Sequence, residues 1–201
     1  MKHISKIIAL TSLAVSLSNC SQVDSTKVFD QEQAAYLLNQ GSKSYPTKQL
    51  VKLSLANKQA WKKIDMSYGT VGSPFMLIPL DATRDSWQQS IRTKISPYAA
   101  NPDMTADKYV ETIIANAKKA CQRVSTDHLE LNGTTVLYQL SLFHCGDENI
   151  TEVQIGKAFK GVDAVYVVYY TAKSGTSEQQ IRQTANTINK ATLMKNPSYS
   201  L

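Results

Sequence analysis

The sequence predicts an α+β domain, an antiparallel sheet of about six strands packed against two or three helices. Three observations predict it. Asn132-Gly133 separates two runs of alternating side chains, the strongest short hairpin signal. Residues 105–121 carry apolar side chains at helical spacing. Two further strand-like runs, 150–159 and 162–172, meet at Gly161 and lead into a second amphipathic stretch. Strands joined by hairpins form an antiparallel sheet, and helices must cover its apolar faces.

The elements follow in order. Residues 30–39 suit a helix, with Asp30 as cap, Gln33 three residues on and Gly41 past the end. Residues 42–49 form a loop around Pro46. Residues 49–60 fit two periods: Leu50, Leu53 and Ala60 suit a helix, whereas Val51, Leu53 and Leu55 suit a strand. The helical reading, carried through Lys63, is preferred. Phe75–Leu80 reads as a strand that Pro79 places at an edge or ends. From Trp87 to Ile95 the odd positions (Trp87, Gln89, Ile91, Thr93, Ile95) share one face, and Ser90, Arg92 and Lys94 share the other. Trp87 is therefore expected in the core.

Thr105 can cap the helix over 105–121. Asp107 suits its positive end and Lys118-Lys119 its negative end. Val110, Ile113, Ile114, Ala117 and Cys121 make its apolar stripe. The hairpin strands run over 127–131 and 135–145, and both central turn residues are expected at positive φ. A last helix spans 176–193, capped by Thr176 or Ser177, with Ile181, Ala185, Ile188 and Thr192 inward. One domain over 28–195 results, followed by a frayed tail at 196–201.

Composition agrees with a packed domain. The chain has 201 residues, 42% of them hydrophobic and 19% charged, which excludes global disorder. The formal charge is +6, and +4 once Lys2 and Lys6 leave with the N-terminal segment. The longest basic runs are the pairs Lys62-Lys63 and Lys118-Lys119, so no basic stripe marks a nucleic-acid partner.

The N-terminus carries the most information. Lys2 and Lys6 precede an apolar stretch from Ile7 to Leu17, which fits a signal peptide over 1–19 and is too short to span a bilayer. Leu17-Ser18-Asn19-Cys20 resembles the bacterial lipobox, with Asn19 where that family has Gly, Ala or Ser. The resemblance implies lipidation of Cys20, cleavage before it and acylation of the new amine, with residues 20–27 as lipidated N-terminus and tether. Several acyl chains anchor a protein stably where one does not. Ser21 in place of Asp implies an outer-membrane destination facing the periplasm. The other reading is ordinary signal cleavage near Ser18, giving a soluble periplasmic or secreted protein.

With Cys20 lipidated, Cys121 and Cys145 can pair in only one way, and an exported chain meets an oxidising compartment. A metal site would have to use His128, Glu130, His144 and Cys145, a scattered set without ligand spacing, so the disulfide is preferred. No metal or cofactor is implied.

Several features resemble small, uncharacterised envelope lipoproteins of Gram-negative bacteria and the PsbP/Mog1-like fold. They are Trp87 with Ile91, Tyr109-Val110 opening the long helix, Cys121 with Cys145, and Gly161-x-Asp163 before Tyr166. The resemblance implies that fold and no activity.

No nucleophile elbow, phosphate loop, dinucleotide fingerprint or metalloprotease motif is present. His144 beside Cys145 reads as packed near the disulfide, and Asp147-Glu148 as a solvated turn. Tyr166 and Tyr170 share a strand face and could anchor a binding surface, unless a helix covers them. The expected function is a non-enzymatic, membrane-anchored envelope lipoprotein acting through protein binding, in envelope complex assembly or in immunity against a delivered toxin. The alternative is a small-molecule or lipid carrier using a sheet–helix cleft, and an envelope hydrolase comes third. Its partners would be the bilayer, through acylated Cys20, and an envelope protein, with no nucleic acid.

Overall fold

A computed structural model describes residues 47–55, 61–65, 75–197 and 199. Cys20, and the leader, tether and 30–39 helix expected from the sequence, lie outside the described residues. Nine strands and two helices alternate along the rest: β1 Gln49–Lys52, β2 Trp61–Asp65, β3 Phe75–Pro79, β4 Gln89–Pro97, α1 Ala106–Ala120, β5 Cys121–Leu131, β6 Thr135–Cys145, β7 Ile150–Lys160, β8 Ala164–Lys173, α2 Glu178–Asn189 and β9 Thr192–Lys195.

Seven strands form one antiparallel sheet in the order β2-β3-β4-β8-β7-β6-β5. Two meanders, β2–β4 and β5–β8, meet where β4 pairs with β8 from Gln89↔Ala172 to Pro97↔Ala164. β8 is thus central, and all its residues but Lys173 are buried. The α+β class expected from the sequence is the class found.

Each face has its own core. Ile91, Ile155, Tyr166, Val168 and Tyr170 pack beneath α2 and the β1–β9 ribbon. Val136, Tyr138, Leu140, Val165 and Val167 pack on the opposite face, where α1 lies over β5, β6 and β7. Burial of these branched and aromatic side chains supplies the main driving force for the fold.

The helices start where their caps dictate. The Thr105 hydroxyl accepts from the Lys108 N–H at 3.2 Å. Ser177, rather than Thr176, caps α2 in a reciprocal box with Gln180. Lacking basic residues in its last turn, α2 is instead capped from outside: Lys157 Nζ on β7 donates to the carbonyls of Asn189 and Ala191 at 2.6 and 3.1 Å. A cation suits that negative end.

Four expectations are corrected. Residues 49–52 are strand, not helix, because Leu50 and Val51 both bury and the segment pairs with β9 from Gln49↔Lys195 to Lys52↔Thr192. Residues 61–63, the end of the same helical reading, belong to β2 and pair with β3. α2 stops at Asn189, since Thr192–Lys195 is drawn into that ribbon; Thr192 is exposed and not inward. Past β9, Asn196 Nδ2 donates to the Thr47 carbonyl at 2.8 Å, and the Asn196 N–H to the Lys48 carbonyl at 2.9 Å. α1 ends one residue early, at Ala120, and the chain turns straight into β5 with Cys121 already extended.

The Asn132-Gly133 hairpin forms, with a three-residue loop. Only Gly133 has positive φ (72°), so the expectation of two such residues fails. Asn132 takes another role: its Oδ1 accepts from Thr135 N–H at 2.7 Å, a side-chain mimic of a backbone turn.

Candidate functional site

Cys121 and Cys145 face each other across β5 and β6, joined by an S–S bond of 2.01 Å. They close the hairpin at the end opposite the Asn132–Thr134 loop. The Gly146 N–H donates to the Ala120 carbonyl at 2.9 Å and ties the following turn to the end of α1. His144 is not packed at the disulfide. It is exposed at a break in the β6–β7 register, with φ of 53° and its Nδ1 2.9 Å from Asn149 Oδ1. Asp147 and Glu148 are exposed in the turn, as expected. Among the described residues no group of three His, Cys, Asp or Glu is placed to hold a metal ion, and no helix is long and apolar enough to cross a membrane.

Tyr166 and Tyr170 are corrected as a binding surface, because both are 0% exposed. α2 and the β1–β9 ribbon cover their face. The Tyr166 hydroxyl donates to Asp163 Oδ1 at 2.6 Å, while Asp163 Oδ2 accepts from the Lys48 N–H at 2.9 Å. The pair therefore holds the start of the ribbon against the β7–β8 turn. The Tyr170 hydroxyl donates to Gln89 Oε1 at 2.8 Å, and burial pushes its pKa up to about 12.

The polar features that stand out lie on the other face, the one on which α1 packs. Arg92 and Lys94 on β4, Glu152 on β7, and Tyr169 and Lys173 on β8 share it by strand alternation and register: Arg92 opposes Tyr169, and Glu152 opposes Lys173. Trp87, expected in the core, instead sits half-buried just before β4, its ring 4.0 Å from Lys173 Nζ and 5.2 Å from the Arg92 guanidinium carbon. Two cations against one indole satisfy its π-face. The buried tryptophan is Trp61, on β2.

The electrostatics of this cluster are uneven. Burial raises the Glu152 pKa, and Arg92 and Lys173 only partly offset it. Burial, then the neighbouring Arg92, lowers that of Lys94. Burial also raises Tyr169, against the opposing charge and hydrogen bond of Arg92. None of Arg92, Lys94, Lys173 and Glu152 is ion-paired among the described residues. Three donors on this face are buried without a hydrogen-bond partner: Ser90 Oγ, Arg92 Nε and the Tyr138 hydroxyl. Such groups are normally satisfied, and each one left unpaired costs about 1–3 kcal/mol.

Sequence reasoning placed Ser90, Arg92 and Lys94 on one face and went no further. Glu152 and Lys173 lie in other strands, and only the β4–β8–β7 register brings them to Arg92. A faint signal existed: charged residues inside otherwise apolar, alternating strands.

No family model matches this chain, and no curated protein does. Solved structures give distant likenesses. LpqN of Mycobacterium tuberculosis, described as involved in cell envelope biogenesis, is 13% identical with a TM-score of 0.48, over 76% of this chain and 87% of that one. The PsbP protein of Synechocystis sp. PCC 6803 is 13% identical with a TM-score of 0.41, over 68% and 82%. The Ran-binding protein Mog1p of Saccharomyces cerevisiae is 12% identical with a TM-score of 0.32, over 73% and 70%. All three scores are below 0.5, so the α+β class rests on the sheet and helices themselves.

Proposed function

We propose that this chain is an envelope lipoprotein, held on a bacterial membrane by acyl chains on Cys20, whose α+β domain acts by binding a protein partner rather than by catalysis. The observation that carries the reading is Leu17-Ser18-Asn19-Cys20, directly after a short apolar leader with Lys2 and Lys6 ahead of it. A thiol at that place suits lipid transfer and little else. The Cys121–Cys145 disulfide supports export, since such bonds persist outside the reducing cytosol. With Tyr166 and Tyr170 buried, a protein partner would have to use other surface.

The anchor is tested by metabolic labelling with palmitate and by fractionation. Wild-type protein is expected to take up label and sediment with membranes. Cys20→Ala should take up none, and should appear in the soluble fraction or as unprocessed precursor. Unlabelled wild type overturns the lipoprotein reading and leaves plain secretion. Crosslinking in intact cells tests the binding role: one specific adduct is expected, and no adduct from any exposed face counts against a protein partner.

A further inference from the structure

We propose that the cluster of Ser90, Arg92 and Lys173 beside Trp87 is a binding site for a phosphate-type oxyanion. The argument starts from charge. Arg92, Lys94 and Lys173 stand on one sheet face with a single carboxylate, Glu152, among them, and none of the four is ion-paired among the described residues. Three cations against one carboxylate leave this face net positive, and half-buried Arg92 and Lys173 attract an anion more strongly than they would in open water.

The second observation is independent of charge. Ser90 is 0% exposed, two residues from Arg92 on the same face, and its hydroxyl has no partner; nor has Arg92 Nε, which is likewise buried. Both are donors. A cluster rich in cations and unpartnered donors is the complement of a group made of acceptors, and a tetrahedral phosphate offers acceptors in several directions at once.

Trp87 completes the arrangement as a wall. With Lys173 4.0 Å and Arg92 5.2 Å from its ring, it limits where both cationic groups can go. On the sheet side Tyr169 stands opposite Arg92 in the β4–β8 register and has Lys94 Nζ 5.9 Å from its ring centre. α1 packs chiefly on β5, β6 and β7, and its Tyr109 neighbours Tyr169 on β8. The inference does not depend on the anchor or on a protein partner.

A phosphate group could come from free phosphate or from a phospholipid headgroup, and two probes separate these. Full-length protein in neutral detergent is titrated with inorganic phosphate, and separately with dihexanoylphosphatidylglycerol below its micelle concentration. The readout is the Trp87 indole N–H resonance, identified by its loss in Trp87→Phe. A saturable shift is expected with at least one probe, and affinity should fall by about tenfold or more in Lys173→Gln and Ser90→Ala, as for the loss of one charge-assisted hydrogen bond. A response to phosphate alone assigns the site to the free anion, one to the lipid alone to the headgroup, and one to both to the shared group. No shift with either probe overturns the proposal, as does a shift of equal affinity in Lys173→Gln. Ser90→Ala and Lys173→Gln keep the test decisive if Arg92→Gln does not fold.

Discussion

Gly156 shows how much one residue can decide. It has no positive φ, so its role is steric rather than conformational. On β7 it stands between Tyr138 on β6 and Tyr169 on β8. A Cβ there would land on the Tyr138 ring and hydroxyl. The missing side chain lets a fully buried tyrosine lie across the strand, where burial raises its pKa well above the ordinary value. Gly156→Ala should therefore destabilise the domain by about 1–3 kcal/mol, the usual cost of overpacking. In a Tyr138→Val background the same Gly156→Ala change should cost less. A denaturation midpoint unchanged in the single variant would refute the close approach.

The tyrosines on β8 belong to the same scale. Alternation puts Tyr166 and Tyr170 on one face and Tyr169 on the other. Which face is covered is not written in β8. Here both are, and the hydroxyls of Tyr166 and Tyr170 become structural fasteners to Asp163 and Gln89.

Among the elements, α2 was legible at its start and not at its end. Its cap is local: the Ser177 hydroxyl accepts from the Gln180 N–H at 3.3 Å, and the Gln180 side chain returns a bond to the Ser177 N–H at 3.2 Å. Ser177→Ala should lower stability by about 1 kcal/mol, with Ser177→Asp close to wild type. Equal denaturant midpoints for Ser177→Ala and wild type would show that the box contributes nothing. The end of α2 is set from outside, by Lys157 on β7 and by pairing of Thr192–Lys195 with β1. The same distant pairing overrides the helical period of residues 49–52. Both ends of the ribbon are short segments whose local preference is weak, so tertiary hydrogen bonding wins.

For the whole molecule, the Cys121–Cys145 bond spans a sequence separation of 24 and closes the meander at its outer end. Closing such a loop restricts the unfolded chain by about 3–4 kcal/mol on the entropy model. Cys145→Ser should lower stability by about 2–4 kcal/mol, and thiol counting on denatured, unreduced protein should find neither cysteine titratable. Two reactive thiols in protein isolated from the envelope would exclude the disulfide there.

What the sequence determined by itself is what neighbours in the chain can decide. Helix caps at Thr105 and Ser177, the Asn132-Gly133 turn, the strand periods of β4 to β8, and so the α+β class all follow from residues a few positions apart. The pairing of Cys121 with Cys145 was also legible in the sequence, on the reading that lipid takes Cys20. The tertiary structure alone decided which faces are covered and which distant segments meet. It buried Tyr166 and Tyr170 under α2, moved Trp87 out of the core and into contact with two cations, and joined β1 to β9. It also set Arg92, Glu152 and Lys173 side by side through the β4–β8–β7 register. A strand's own residues specify its two faces, whereas its neighbours, its register and its covering helix are properties of the assembled sheet.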